Sequence, residues 1–433
     1  MIIRFLIAAL LLAASPVRAI DIDVVETNAG FEAWLVEDHT IPFVALELVF
    51  EGGAALDRPG KEGAGYLMSG LIEEGAGDRD AQAFQTAREA LAAEFRFDIS
   101  ADRMSVSAKM LSENREEAAA LLGEALRAPR FDPDAVERVR GQVLAGLAAD
   151  AVDPNAIAGR AFSAQVYGDH AYGRDREGTP ETVAGLTRDD LLQAHRDILV
   201  RDRVLISAVG DISAEELGVL VDGLLADLPL AERDLPGPAD PQLAGGVSVA
   251  PFDTPQSVAL FAQPGITQED PDFFPLYILN EILGGSGLQS RLMQAVREER
   301  GLTYGVYSYL VDREGAQLWQ GSLASGNGTM AEAVEVVRAQ WQLLASEGVT
   351  EDELTAAKTY LTGAYPLRFD GNGPIARILA GLQIQGKDPS YVNTRNDRIN
   401  AVTLDQINRV GRERLDPDRL TFVIAGQPEG LPE

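Results

Sequence analysis

Hydrophobic and polar residues change their period along this chain, and the changes mark strands and helices in turn. The run from Val44 to Phe50 reads as a strand. The run from Arg103 to Met110 reads as another, its polar and apolar residues alternating as in a sheet with one solvated face. Further on, the segments from Tyr304 to Val311 and from Gln317 to Leu323 flank Asp312-Arg-Glu-Gly315, the pattern of a hairpin. From Met330 to Ser346, Val334, Val337, Trp341 and Leu344 recur at helical spacing and Gly348 closes the element, which places Trp341 in a core. Thr350-Glu-Asp-Glu353 is a capping box that opens the next helix. Strands and helices are mixed without strict βαβ alternation, so the expected class is α+β, with mainly antiparallel sheets packed against helices.

The pattern also repeats. Leu186–Gly210 aligns without a gap to Val402–Gly426. Thr187, Asp189, Arg196, Leu199, Asp202, Arg203 and Gly210 meet Thr403, Asp405, Arg412, Leu415, Asp418, Arg419 and Gly426. Each copy reads as an N-capped helix, a charged turn and a buried strand (Val204 to Val209; Leu420 to Ala425). Duplication explains so many identities in one register better than chance does. Between the copies, residues 233–246 are rich in proline and glycine and have little apolar periodicity, the marks of a linker. This predicts two homologous domains, at 20–232 and 247–433.

Composition narrows the setting. The chain has 433 residues, 46% of them hydrophobic and 24% charged, which suits globular domains with sizeable cores. Residues 1–19 read as a secretory signal peptide: Arg4, an apolar run from Phe5 to Ala14, then small residues ahead of a cut after Ala19. No later apolar run reaches membrane-span length. The expected compartment is the periplasm. The formal net charge is −30, and removing residues 1–19 takes away two arginines and no acid. Such a surface disfavours nucleic acid and anionic membranes. There is no cysteine, which rules out disulfides, a thiolate metal site and a cysteine nucleophile.

The richest chemical signal is Leu283-Gly-Gly-Ser-Gly-Leu-Gln-Ser-Arg-Leu292, continuing through Arg297-Glu-Glu-Arg-Gly-Leu-Thr-Tyr304. A glycine turn between two apolar helices, the second expected from Leu288 to Glu299, leads to an arginine and a tyrosine. A phosphate-loop reading of Gly284, Gly285 and Gly287 fails, because no Gly-Lys-Ser/Thr follows and a helix rather than a strand precedes. Together these residues resemble the C-terminal domain of the pitrilysin–insulinase family of zinc peptidases. The resemblance covers nearly the whole mature chain and implies a mitochondrial-processing-peptidase-like fold. It also implies that Arg297 and Tyr304 reach across to a zinc site carried on another domain or subunit, and that Gly284, Gly285, Ser286 and Gly287 lie beside the substrate.

Active members of that family carry a helix with HxxEH, where two histidines four apart bind zinc and the glutamate serves as base. Carried onto Gly63-Ala-Gly-Tyr-Leu-Met-Ser-Gly-Leu-Ile-Glu-Glu-Gly-Ala-Gly77, that motif meets Gly65, Met68 and Ser69, none of which can do this chemistry. A third ligand, a downstream glutamate in the family, is replaced by Ala145 or Gly146. No histidine lies between His39 and His170, and these two and His195 read as scattered turn or surface residues. Glu73 and Glu74, adjacent on a helix, do not face one site and read as a solvated acidic edge. The chain is therefore expected to bind no metal and to be inactive alone. By resemblance, a homologous HxxEH subunit would carry the zinc and the two would enclose an unfolded peptide. The plainer alternative makes Arg297 a surface residue paired with Glu298, Tyr304 a half-buried strand aromatic, the glycine loop a tight turn, and the protein purely structural or peptide-binding.

Overall fold

Each half of the chain folds around a mixed sheet, and the two sheets share one topology. The computed structural model describes residues 20–431 apart from Ser286 and Glu314; the segment read as an export signal lies outside the described residues. The strands are β1 (Asp23–Glu26), β2 (Glu32–Glu37), β3 (Phe43–Glu51), β4 (Gly75–Ala76), β5 (Arg79–Asp80), β6 (Glu94–Ile99), β7 (Arg103–Leu111), β8 (Val204–Gly210), β9 (Gly246–Pro251), β10 (Gln256–Pro264), β11 (Val306–Arg313), β12 (Ala316–Gly326) and β13 (Thr421–Gly426). The first sheet runs β1-β2-β8-β3-β7-β6 and the second, read from its far edge, β9-β13-β10-β12-β11. Without β1 the two orders correspond strand for strand. In each sheet the repeated strand, β8 or β13, makes the one parallel pairing, with β2 or β9.

The repeat explains its own glycines. Gly210 and Gly426 end the repeated strands with φ of +131° and +145°. A Cβ on Gly210 would stand 2.2 Å from the Phe43 carbonyl oxygen, and one on Gly426 2.2 Å from Ser257 Oγ. Only glycine tolerates that backbone and that approach. Capping is duplicated too: Thr187 and Thr403 each accept from the N3 amide of their helices, Arg188–Ile198 and Leu404–Arg414. His195 departs from its expected surface position. The first of these helices lays Leu191, Ala194, His195 and Ile198 inward, so His195 is 7% exposed and its Nε2 lies 2.8 Å from the Leu126 carbonyl oxygen. Burial pushes its imidazole below the ordinary histidine range, so it stays neutral.

The expected hairpin forms from β11 and β12, paired from Val306↔Leu323 to Arg313↔Ala316. Trp341 is fully buried and its indole N–H donates to Gln263 Oε1 at 2.8 Å. Among the described residues no helix is long and apolar enough to cross a membrane.

Each half lends one helix to the other. Pro154–Tyr167, from the first half, lies on the second sheet, where Phe162 and Val166 pack with Ala262, Leu318 and Val423. Asn372–Ile384, from the second half, lies on the first sheet, where Ala376, Leu379 and Leu382 pack with Trp34, Ala45 and Val209. Polar ties fix the register of the latter: Ser207 Oγ donates to the Ala376 carbonyl at 2.9 Å, and Gln383 Nε2 to the Ile206 carbonyl at 2.9 Å.

Beneath that helix sits Glu47, on β3 and 4% exposed. Its carboxylate accepts from Ser107 Oγ at 2.7 Å and faces Arg377 of the lent helix at 3.8 Å. Burial outweighs both partners and raises its pKa from 4.5 to about 7. Because the folded value is the higher, Glu47 holds a proton in the folded state that the unfolded chain has released between those two pH values. Its contribution to stability is full below pH 4.5 and is lost as pH rises to about 7. Glu47→Gln keeps an acceptor for Ser107 without the buried charge. It is expected to match the parent near pH 4.5 and to exceed it by ~1–3 kcal/mol at pH 8 in urea unfolding.

Candidate functional site

The glycine loop begins where helix Phe273–Gly284 runs into β11. A Cβ on Gly284 would lie 2.4 Å from Ser308 Oγ and 2.7 Å from the Ser308 amide nitrogen, so this glycine lets helix and strand touch. A Cβ on Gly285 would strike Glu281. Both glycines are therefore required by packing. Gly287 differs: it is exposed, has a φ of +125° and faces open space. Ser286 lies outside the described residues.

Helix formation after the loop starts later than the sequence suggested. Leu288 and Gln289 form a turn, and Met293–Glu298 winds as a π-helix, with the Glu299 amide donating to the Gln294 carbonyl at 2.9 Å. Gln294 Nε2 reaches back to the Leu288 carbonyl at 2.6 Å, which holds the looser turn in place. Such i→i+5 turns displace the residues that follow them and recur at functional sites. Arg297 ends this turn half-buried, its Nε 3.5 Å from Glu298 Oε1. The Gly301 amide closes the element onto the Arg297 carbonyl at 2.8 Å.

Tyr304 does not open the strand, which begins at Val306. It stands on the preceding turn, where Thr303 Oγ1 accepts from the Gly305 amide at 3.0 Å and donates to the Ala324 carbonyl at 2.7 Å. That clamp turns the tyrosine outward. Tyr304 is 85% exposed, and its hydroxyl has no partner among the described residues. It is thus not the half-buried strand aromatic of the plainer alternative. Tyr307 and Tyr309 continue the same exposed side of β11.

In the first half, the helix expected to carry the lost metal site is Ala64–Ser69. Asp57 caps it, accepting from the Gly63 and Gly65 amides at 2.8 and 2.9 Å. Burial raises the Asp57 carboxyl to about 7 against the pull of those donors. Gly65 and Met68 face inward: Met68 is fully buried, and a Cβ on Gly65 would lie 3.0 Å from Ile99 Cδ1 and 3.1 Å from Ile198 Cδ1. The side of the helix that meets a cleft of about 580 Å³ is Tyr66, Ser69 and Gly70. These have the i, i+3, i+4 spacing of HxxEH, so the motif corresponds one residue later than the sequence alone placed it. Gly146, on helix Pro133–Asp150, lines the same cleft. The structure therefore brings Ser69 and Gly146 together and removes Gly65 and Met68.

The cleft offers no set of zinc ligands. Its polar side chains are the hydroxyls of Tyr66, Ser69, Ser100 and Ser105, the Gln142 amide, Arg103, Arg176 and the carboxylates of Asp98 and Glu177. Zinc in proteins takes histidine, thiolate or several carboxylates, and guanidinium groups would repel it. Among the described residues no three histidine, aspartate or glutamate side chains converge as metal ligands. Glu73 and Glu74 diverge, to Arg88 and Arg138, each at 2.5 Å. Tyr66, Gln142 and Glu177 escaped the sequence reading, although the helical face they imply could have been found by testing all registers of the motif.

Comparisons with known proteins agree with this geometry. Residues 33–180 match the family described as insulinase (peptidase family M16), and residues 185–361 match the peptidase M16 inactive domain. The chain is 25% identical over 389 residues to the "non-peptidase homolog YmxG" of Helicobacter pylori, covering 90% of each chain. It is 24% identical over 403 residues to the "uncharacterized zinc protease YmxG" of Bacillus subtilis, covering 92% of this chain and 96% of that one. The crystal structure of a peptidase M16 inactive domain from Pseudomonas fluorescens superposes with a TM-score of 0.87 at 27% identity, covering 95% of this chain and 99% of that one. The chain belongs to the M16 insulinase family, as a homologue in which the metal ligands of an active peptidase are missing.

Proposed function

We propose that this chain is the non-zinc subunit of a heteromeric peptidase, working with a homologous subunit that bears HxxEH. The observation that carries the reading is Tyr304: an exposed phenol without a partner among the described residues, on a clamped turn that follows Arg297 and the glycine loop in the chain. A large exposed aromatic gains most when an interface covers it. A phenol presented this way can donate to the oxyanion that develops on a peptide carbonyl under attack. The Arg297 guanidinium can hold a neighbouring carbonyl or a terminal carboxylate and fix the register of the peptide. The second reading, a structural or peptide-binding subunit without a catalytic part, is supported by the contact that already occupies Arg297 with Glu298.

Hydrolysis of a quenched fluorescent peptide by this chain, by an HxxEH homologue and by their mixture distinguishes the two. Activity is expected in the mixture alone. Tyr304→Phe should then lower kcat by about 10²–10³ with little change in KM, the usual effect of losing one oxyanion donor. Arg297→Ala should act mainly on KM. A homologue fully active alone and indifferent to both substitutions would leave only the structural reading.

We also propose that the protein works in the periplasm. N-terminal sequencing of the chain from a periplasmic extract is expected to begin at Ile20.

A further inference from the structure

A cavity of about 730 Å³ lies where the β11 edge of the second sheet meets the helix lent to the first sheet. Tyr309 of β11, Phe274 and Tyr277 of helix Phe273–Gly284, and Tyr365 and Tyr391 form aromatic walls, and Ile378 and Leu382 of the lent helix add apolar surface. Such a volume suits one bulky side chain or a small molecule, since ligand pockets span roughly 300–1,000 Å³.

Tyr365 makes the cavity more than a gap in packing. It is 7% exposed and its hydroxyl has no hydrogen-bond partner among the described residues. A buried donor without an acceptor is costly, and such groups are rare in folded proteins. Nearby groups do not relieve it. Arg395 stacks on the Tyr365 ring at 4.2 Å, but its N–H groups are committed to the Leu361 carbonyl, Asn396 Oδ1 and the Tyr277 hydroxyl, at 3.1 to 3.2 Å. Arg368, three residues along, is exposed and makes no ion pair among the described residues, and its charge acts on the Tyr365 phenol. Burial outweighs that charge and raises the phenol's pKa, so Tyr365 remains a donor.

The charge here opposes that of the whole chain. Against a net −30, this wall presents Arg368, Arg377 and Arg395, with Asp312 as its acid. Arg377 is held only loosely by Glu47, at 3.8 Å. Orphan donor, free guanidinium and aromatic walls call for one kind of occupant.

We propose that this cavity binds an aromatic ring with a carboxylate close beside it, whose oxygens accept from the Tyr365 hydroxyl and Arg368. A peptide with a C-terminal aromatic residue and a free aromatic acid share this chemistry. The proposal is independent of any role for Arg297 and Tyr304, since it concerns binding by this chain alone.

The test is fluorescence anisotropy of dye-labelled Ala-Ala-Ala-Phe with a free carboxyl terminus, competed by the unlabelled peptide, its C-terminal amide and N-acetylphenylalanine. Saturable binding is expected, with the amide at least ~tenfold weaker. Tyr365→Phe and Arg368→Gln should each weaken the free acid, while Tyr365→Phe leaves Tm unchanged or higher because the hydroxyl has no partner to lose. Competition by N-acetylphenylalanine as strong as the peptide's assigns the site to small aromatic acids, and weaker competition assigns it to peptide termini. Absence of saturable binding up to millimolar peptide, equal affinity for acid and amide, or indifference to both Tyr365→Phe and Arg368→Gln would overturn the proposal.

Discussion

The exchange of helices between the halves is the interaction on which the rest of this structure depends. A sheet with helices on one face still has a second face to cover, and here each half covers the other's. Ala376, Leu379 and Leu382 press on Trp34, Ala45 and Val209 of the first sheet, and Phe162 and Val166 on Ala262 and Val423 of the second. Burial of this kind is worth about 25 cal/mol per Å² of apolar surface, so parting the halves would expose two core faces together. The same exchange places Arg377 over Glu47 and completes the aromatic cavity beside β11. Interface, buried charge and cavity are one construction.

Missing metal ligands have left the helix Ala64–Ser69 intact because its stability comes from elsewhere. Leu67 and Met68 anchor it in the core, and Asp57 satisfies its first amides. Its cleft side needs no metal ligand to hold the helix: Tyr66 packs on the edge of the core and Ser69 Oγ donates to the Tyr66 carbonyl at 2.8 Å. The second half shows the converse. Gly284 and Gly285 are demanded by close packing, whereas Tyr304, clamped by Thr303 and left in solvent, contributes little to packing that would account for its presence. A residue that the fold does not require is the better candidate for a functional one.

Much of this was legible in the sequence where local physics decides. The alternation in β7, the helical spacing around Trp341, the capping box at Thr350 and the repeated strand–glycine endings all appeared in place. What could not be read depends on contacts distant in the chain. Nothing near His195 announces that the Leu126 carbonyl will accept from its ring, and nothing near Tyr304 announces that Ala324 will fix its turn. The register of the lost HxxEH helix failed for the same reason. Six residues contain too little periodicity to say which side is buried, and Ile99 and Ile198 settle it from afar. The aromatic cavity was invisible because Tyr309, Tyr365 and Tyr391 are far apart in the chain and converge only when the second half has folded.

That trade also governs how the molecule can be made. The face of the first sheet that carries Trp34, Ala45 and Val209 stays bare until Asn372–Ile384 has been synthesised and has found it. Contacts across that much chain are slow to form, and the intermediate that waits for them shows an apolar sheet surface to its surroundings. Vectorial folding, half by half as the chain emerges, is therefore closed to this protein. Its first half keeps that face uncovered until nearly the last helix arrives, and truncations that look like tidy domain boundaries would leave it bare.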